Sequence, residues 1–579
     1  MDTRKELFIH AVQMVEIEGG WNIPTALLYE PGGKVLIGSA ALSEDAKLVN
    51  EDFKIDLGRY APGVQGKRRF KTAAAFEKSG PELANDFLIE VLTEAKQWLI
   101  SRGITACQNI VVAEPLSMHT EDLSPEWLAN YRATLRRIIE GKTIFSTSGL
   151  KVRFIPEPFA AFQYYRHGIR HPLVAQATQI NALVIDFGGG TCDVCIIETT
   201  RQGEISGGGR NMRPLAGKSL PLGGFSINRE IAEHLLLKKF PAEKSHIRTG
   251  IQEYKNWHEG KRSLEALDSR YKVFIDNFHR LIHRVEAVKL ALCRAVTDWS
   301  LTADQRFPVA TTVPQDPFED SGKAVAATLS IADLREIFIQ KIYNPSLKPF
   351  LAERLKIGRD VLENRPIHVI LLSGGSANIG WVRELLKRDF GDHLSNAPTV
   401  QIPDYQQVVA QGLAVDCARE FSTGTSDFKG VTYNPLYLLL SPDDSGCEPR
   451  PFFKKTIDLP DVKDRPGLLV PTASVLASFV DRPMLWRVKM GRPPRRKLDY
   501  YFLQGTMDPN DVSSLQNVEE HTIHTPPDCD FDGSSHVQLT IKSDGTAVPR
   551  IVYRAGTSFA KEIGKDGRKF FGLYSRIYG

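Results

Sequence analysis

The sequence predicts an α/β fold over its first three quarters, followed by a smaller β-rich region. Three observations predict this. From about residue 20 to about residue 420, short apolar runs alternate with stretches of helical periodicity, the pattern of sheets covered by helices. Two of the apolar runs end directly in glycine turns, at Gly188-Gly189-Gly190 and at Gly374-Gly375. After the polar stretch Ser422-Thr423-Gly424-Thr425-Ser426-Asp427, helical periodicity stops and Pro becomes frequent. Short alternating runs such as His536–Ile541 then read as strands. The expected division is residues 1–425 and residues 426–579, since 579 residues exceed what one core organises.

In chain order, Met1–Met14 reads as a strand. Trp21–Glu30 reads as a second, entered through Gly19-Gly20 and left at Pro31-Gly32-Gly33. Leu83, Phe87, Leu88, Val91, Leu92, Ala95 and Leu99 recur at helical spacing, with Gly103 placed to stop the helix. Ile110–Ala113 is short, apolar and bounded by polar residues, as in a buried strand. Ser124-Pro125 opens the next helix, with serine as cap and proline in its tolerated first position.

Composition bounds the function. Lys plus Arg is 73 against Asp plus Glu at 69, a net charge of +4. So small an excess carries no general argument for nucleic acid or an anionic surface. No apolar run reaches the roughly 18 residues that span a bilayer, and Met1–Phe8 carries four charges with no apolar core of a leader. Seven scattered cysteines favour a reducing compartment over a disulfide framework. The expectation is a cytoplasmic protein without membrane or nucleic-acid partners.

The most informative stretch is Ala182–Ile197. An apolar strand runs through Asp186 into Gly188-Gly189-Gly190-Thr191 and leaves through Asp193 as a second strand. Three residues without side chains let main-chain N–H groups approach an anion, and Thr191 adds a hydroxyl donor. Asp186 and Asp193 beside such a cradle repel its anion unless a cation stands between them. Hydrated magnesium suits this, because it keeps its waters and needs only one or two carboxylates. The turn is not a P-loop: no Gly-Lys-Ser/Thr ends it and no helix follows.

A second turn repeats the idea. His368–Ser373 is apolar and strand-like, and Gly374-Gly375-Ser376 leads towards a helix through Trp381, Val382, Leu385 and Leu386. Such an arrangement lets a flat or anionic group rest on a helix N-terminus at the carboxyl end of a strand. Between the turns, Arg280, Glu286 and Lys289 lie on the helix-like stretch His279–Val296. Glu286 and Lys289, three apart, share a face and could bracket a ribose and base.

These residues resemble the seventy-kilodalton heat-shock proteins, the DnaK-type chaperones of the actin-like ATPase superfamily. Asp186-Phe187-Gly188-Gly189-Gly190-Thr191-Cys192-Asp193 is similar to the family's second phosphate motif. Ile155-Pro156-Glu157-Pro158-Phe159-Ala160-Ala161 resembles its first connecting helix, and Gln411-Gly412-Leu413-Ala414-Val415 its second. Leu222-Gly223-Gly224 resembles its Leu-Gly-Gly turn, and Ser373-Gly374-Gly375-Ser376 its adenosine motif. The resemblance covers roughly residues 15–420 and implies an actin-like, ribonuclease H-like domain of two lobes that close on ATP or ADP with Mg2+. It further implies that Asp186 and Asp193 hold magnesium through water, and that Asp193 with Glu157 orients or deprotonates the attacking water. Lys54, within Phe53–Arg59, falls at the family's phosphate-contacting lysine. Gly188, Gly189, Gly190 and Thr191 would cradle phosphates. Gly223, Gly224, Glu286, Lys289, Gly374, Gly375 and Ser376 would complete the nucleotide site. Client proteins and co-chaperones are the implied partners.

The sequence departs from the family in four places. The family opens with Asp-Leu/Phe-Gly-Thr-Thr, and no such turn precedes Trp21. The expectation is a late start or a degenerate site, with weakened ATP affinity and turnover. Leu290 and Cys293 stand where the family has a basic and a hydroxyl residue near the base. The C-terminal region shows no long helical lid. Two other readings follow: a scaffold that keeps the fold without turnover, and a sugar kinase of the same superfamily. Cys192 and Cys195 spell C-x-x-C, but without a helix start or second pair they read as strand residues. Arg487, Lys489, Arg492, Arg495, Arg496 and Lys497 read as a solvated basic loop.

Overall fold

The computed structural model describes residues 12–423 except 43–48, 61, 65, 67, 73–75, 106, 108, 117–126, 142–149, 169–178, 201–212, 363, 395–396 and 403–405, and beyond 423 the backbone of nine strands. The chain divides into two compact units, Met1–Ile197 with Lys218–Ala418 and Glu198–Gly217 with Arg419–Gly579.

The first unit opens with a small antiparallel sheet in which β1 (Ala26–Tyr29) lies between β2 (Val35–Ile37) and β3 (Asn50–Glu51). The expected strand at Trp21–Glu30 is thus trimmed to its apolar half, all of it buried. Residues 12–14 carry no strand, and residues 1–11 lie outside the described residues. Two short helices follow, α1 (Gly38–Leu42) and α2 (Asp56–Arg59), then the hairpin β4 (Phe70–Lys71) and β5 (Phe76–Lys78).

Helix α3 (Gly80–Ser101) carries the expected apolar spacing. The Glu82 carboxylate accepts from the amide and the hydroxyl of Ser79, at 2.8 and 2.6 Å, and satisfies orphan donors of the first turn. Gly103 ends the helix at φ 76, while the Ile104 amide turns back to donate to the Leu99 carbonyl at 2.9 Å. β6 (Asn109–Glu114) and β7 (Lys151–Pro156) then pair in parallel, with α4 (Trp127–Glu140) between them in sequence. Ser124 and Pro125, expected to open that helix, lie outside the described residues. Helix α5 (Glu157–Gly168) follows β7 without a loop.

The centre of the unit is built from β8 (Gln179–Phe187), from β9 (Cys192–Thr200) as far as Ile197 and from β10 (Arg213–Leu220) from Lys218 on. Next come α6 (Gly224–Lys239), α7 (Lys244–His258) and α8 (Ser269–Ala295). Helix α8 begins ten residues before the expected His279, because the Asp268 side chain caps it by accepting from the Arg270 amide at 2.8 Å. The hairpin β11 (Pro308–Pro314) and β12 (Ala324–Ser330), helix α9 (Ile331–Ile337) and helix α10 (Lys348–Val361) lead to β13 (Val369–Ser373). A single 3-10 turn, Gly375–Asn378, separates β13 from α11 (Trp381–Phe390). Strand β14 (Thr399–Gln401) and helix α12 (Val408–Thr423), as far as Ala418, close the unit. Because α12 runs through Thr423, Ser422 and Thr423 are helical rather than linker. Residues 424–427 lie outside the described residues.

The central sheet has the order β10-β9-β8-β13-β14. β8 and β13 read as near-continuous apolar runs because Ala182–Ile185 and Val369–Leu372 are buried on both faces. Helices α5 and α12 cross so closely that a Cβ on Gly412 would lie 1.9 Å from the Ala160 carbonyl oxygen. Beside the crossing, Gln163 Nε2 donates to Asp416 Oδ1 at 3.1 Å. The small residues singled out at both positions are therefore a steric requirement.

Beyond residue 430 the described residues form only strands, in agreement with the β texture of that sequence. They are β15 (Leu438–Leu439), β16 (Leu468–Leu469), β17 (Met484–Lys489), β18 (Lys497–Phe502), β19 (Glu519–His524), β20 (His536–Ile541), β21 (Thr546–Ala555), β22 (Ser558–Ile563) and β23 (Arg568–Lys569). The largest sheet runs β17-β20-β21-β22, with β23 also on β21.

Candidate active site

Two glycine turns leave the same edge of the central sheet. β8 and β13 are parallel neighbours, with Asp186 opposite Ser373. Both turns therefore emerge at carboxyl ends, where α/β sheets bind ligands. The Ser376 hydroxyl donates to the Gly188 carbonyl at 2.9 Å. From α6, the amides of Gly224 and Phe225 donate to the carbonyls of Gly188 and Gly189 at 3.0 and 2.9 Å. A third glycine pair, Gly223-Gly224, is thereby locked against the first.

The glycines are required by close approach. Gly374 sits at φ 86, and a Cβ there would meet the Phe187 carbonyl at 2.4 Å. One on Gly223 would meet the Gly189 carbonyl at 2.3 Å, and one on Gly224 would lie 3.3 Å from both Lys289 Nζ and Ser376 Oγ. Gly188–Gly190, Gly223, Gly224, Gly374, Ser376 and Lys289 thus converge on one place, although 188 residues separate Gly188 from Ser376. Gly375 opens the 3-10 turn of the same group. That turn, rather than the N-terminus of α11, is what faces the first glycine turn.

The first turn keeps its cradle open. The Gly188 amide donates to the Thr191 carbonyl at 2.9 Å and closes the hairpin. Among the described residues, no acceptor takes the amides of Gly189 and Gly190. A Cβ on Gly189 would meet nothing within 4 Å.

Acids surround this opening. Asp186 is the last but one residue of β8, Asp193 lies in β9, and Glu157 is the first residue of α5. Lys54, just before α2, forms an ion pair with Glu157. It is engaged in the site rather than a solvated surface lysine. Burial pushes the Asp186 carboxyl well above the usual carboxylate range, and the charges of Glu157 and Asp193 push it further, against the pull of Lys54. Burial and Glu157 likewise raise Asp193, opposed by Ser219, Lys54 and the Leu116 amide. Burial works against the Lys54 ammonium, but the Glu157 carboxylate outweighs it and holds the lysine protonated.

Asp193 Oδ1 accepts from the Leu116 amide at 2.8 Å and from the Ser219 hydroxyl, whereas its Oδ2 is buried without a hydrogen-bond partner. A buried carboxylate oxygen left unsatisfied beside a second carboxyl fits a hydrated divalent cation, which would satisfy both. The donor set suits magnesium in kind: oxygen ligands, and few of them. Among the described residues no group of three or more His, Cys, Asp or Glu is placed to hold a metal directly.

On α8, Glu286 Oε2 accepts from Lys289 Nζ and from Asn228 Nδ2, each at 2.6 Å. Arg280, expected beside them, turns away: its Nη2 donates to Asn277 Oδ1 at 2.7 Å and pairs with Asp320 at 3.4 Å. Leu290, the residue after Lys289, is exposed, and one helical turn beyond Lys289 burial raises the Cys293 thiol to about 11.

Sequence reasoning missed Ser219, Leu116 and Asn228, which hold the acids. Asn228 follows Gly224 by four residues, a spacing that could have placed it on the same helix face. Ser219 and Leu116 carry no local signal. Of the decoys, Cys192 and Cys195 are buried strand residues. Arg487 and Lys489 lie on β17 and Lys497 on β18, so these three are strand rather than loop; Arg492, Arg495 and Arg496 lie outside the described residues. No helix among the described residues is long and apolar enough to cross a membrane. Compared with known proteins, the chain matches no family model and no curated protein.

Proposed function

We propose that the first unit binds ATP with magnesium between the two glycine turns and hydrolyses it, as a chaperone-like ATPase of the actin-like two-lobed type. One observation carries the reading. Glycine turns 188 residues apart are pinned to each other, and the paired turns leave two main-chain amides open beside Asp186, Asp193, Glu157 and Lys54.

Residue types match the chemistry. The amides of Gly189 and Gly190 with the Thr191 hydroxyl would receive phosphate oxygens, and Lys54 would stabilise charge on the transferring phosphoryl group. Asp186 and Asp193 would hold magnesium through water, and the ion would neutralise the triphosphate. Glu157 and Asp193 would orient a water and accept its proton as its oxygen bonds to the terminal phosphorus. The bond to the bridging oxygen breaks, and its electron pair leaves on ADP. Glu286, Lys289, Gly375 and Ser376 would hold the adenosine. The closely crossed helices α5 and α12 would form the hinge on which closure depends. Client proteins and co-chaperones are proposed partners by the resemblance alone.

Isothermal titration with Mg-ATP, with phosphate release measured for wild type and Asp186→Ala, tests the reading. Binding with release that the substitution abolishes supports it. Folded protein giving no heat of binding refutes it. Binding without release favours the scaffold reading of the same fold.

A further inference from the structure

Helix α8 brings two histidines nitrogen to nitrogen. His279 and His283 are four apart, so they share one face of the helix, and their Nε2 atoms lie 3.0 Å apart. The outer nitrogen of each ring is held from a different element. Nδ1 of His283 pairs with the Glu51 carboxylate of β3. Nδ1 of His279 lies 3.0 Å from the hydroxyl of Tyr254 on α7.

These outer partners decide what the inner nitrogens can do. An ionised carboxylate only accepts, so the Nδ1 proton of His283 is committed to Glu51, and the ring in its neutral form offers a lone pair at Nε2. Burial, then His283 and Lys71, hold His279 well below the ordinary histidine value, so this ring is neutral at neutral pH. Two neutral imidazoles that meet at Nε2 need something electropositive between them, a proton carried by one ring or a metal ion. With the proton, the Tyr254 hydroxyl donates to Nδ1 of His279, and the Nε2–H of His279 donates to His283. With the metal, that proton moves to Nδ1 of His279, the hydroxyl turns to accept it, and both lone pairs reach the ion. No proton is gained or lost in the exchange.

Two histidines at this spacing, with a carboxylate behind one ring, suit an imidazole-ligated divalent metal. The charges around them permit it. Lys71 and Arg68, the cations that bear on His279, are offset by Asp276 and by Asp56, the latter at 2.8 Å. Glu51 faces a histidine and is placed to offset an ion's charge through the ring. The His283 side chain is 15% exposed, so solvent reaches the pair. His279 also lines a cavity with room for a water molecule, together with Glu51, Lys71 and Asp276. Among the described residues no third His, Cys, Asp or Glu joins the pair, so water would complete the shell.

We propose that His279 and His283 bind a divalent transition-metal ion of the zinc class, with water in the remaining positions and with Glu51 and Tyr254 orienting the two rings. The site uses none of the residues of the magnesium position and does not rest on the ATPase reading. Nitrogen ligands select zinc, nickel or copper over magnesium. The ion clamps the turn of α8 that leads to Glu286, three residues beyond His283.

The test uses the full chain, stripped of metal with a chelator and kept in excess magnesium, titrated with Zn2+ by calorimetry. Wild type, His283→Gln, Glu51→Gln and the exposed His393→Gln are compared. Excess magnesium occupies oxygen sites, so the titration reads softer ligands. Expected is a saturable site in wild type, weakened at least about tenfold in His283→Gln, by about 10- to 100-fold in Glu51→Gln, and unchanged in His393→Gln. Zinc should raise the melting temperature of wild type and not that of His283→Gln. Wild type that takes up no zinc overturns the site. Equal zinc affinity in wild type, His283→Gln and Glu51→Gln also overturns it, because the ion then sits on other histidines or cysteines. Should His283→Gln fail to fold, Glu51→Gln decides: a loss confined to it and absent from His393→Gln supports the site, and no loss overturns it.

Discussion

Replacing Gly189 by alanine separates a structural glycine from a ligand-facing one. A Cβ at this position meets no atom within 4 Å, and its φ is not in the left-handed region. The folded protein therefore accommodates the methyl group, and stability should change by less than about 1 kcal/mol. The same methyl fills the space into which a phosphate must come to reach the Gly189 and Gly190 amides. Hydrogen bonds to a charged group contribute about 1.5–3 kcal/mol each. Loss of one weakens Mg-ATP binding by roughly 10- to 150-fold, and loss of both by more. Isothermal titration gives the affinity and thermal melting of the same sample gives the stability. Gly223→Ala is the contrasting substitution, because its Cβ lands 2.3 Å from the Gly189 carbonyl oxygen. It should cost about 1–3 kcal/mol of stability by overpacking and pull α6 away from the turn. A stable Gly189→Ala protein that binds Mg-ATP as tightly as wild type would refute the placement of phosphate on this turn.

Three further outcomes follow from the geometry. Burial first, then neighbouring carboxylates, raise the Asp186 and Asp193 carboxyls, and a metal needs both ionised. Mg-ATP affinity should thus rise between about pH 6 and about pH 9 with release of up to two protons, measured by titration in buffers of different ionisation enthalpy. Gly412→Ala drives a methyl group into the Ala160 carbonyl at 1.9 Å, so it should lower stability by about 2–4 kcal/mol, read as a lower melting temperature. Burial and Arg68 hold His258 below the ordinary histidine value, against the pull of Asp52. The unfolded chain therefore binds the proton first, and stability is lost as pH falls through about 6.5; His258→Gln should flatten that part of a pH series of denaturant midpoints.

The sequence was most legible where one local rule decides the structure. Helix α3 carries its apolar spacing and its Gly103 stop in nearby residues, and both are in place; the Ser79–Glu82 start was there to read and was missed. The strand-turn-strand at 182–197 and the turn at 373–376 were readable because an apolar run ending in glycine has few alternatives. Boundaries were less legible where a side chain extends an element. Asp268 starts α8 ten residues early. Helix α12 absorbs Ser422 and Thr423, since nothing in their chemistry forbids a last helical turn. Arg280 was misplaced because helical spacing fixes a face but not which neighbour approaches it; Asn277 on its own helix and Asp320 beyond it claim the guanidinium.

The site shows where local reading stops. Asp186 and Asp193 were visible as acids flanking a turn, yet a sequence pattern cannot tell whether they are solvated carboxylates or buried ones. Burial decides it. Asp193 is fully buried and Asp186 is 6% exposed, with Lys54, itself committed to Glu157, the neighbouring cation that offsets them. Three acids against one lysine in a low-dielectric pocket cannot all be ionised without several kcal/mol of cost. The alternatives are to hold protons or to hold a cation. A triphosphate alone would worsen the imbalance, and a triphosphate carrying magnesium would relieve it. On the proposed reading, ATP should therefore bind more weakly without magnesium than with it, and equal affinity with and without the metal would count against that reading.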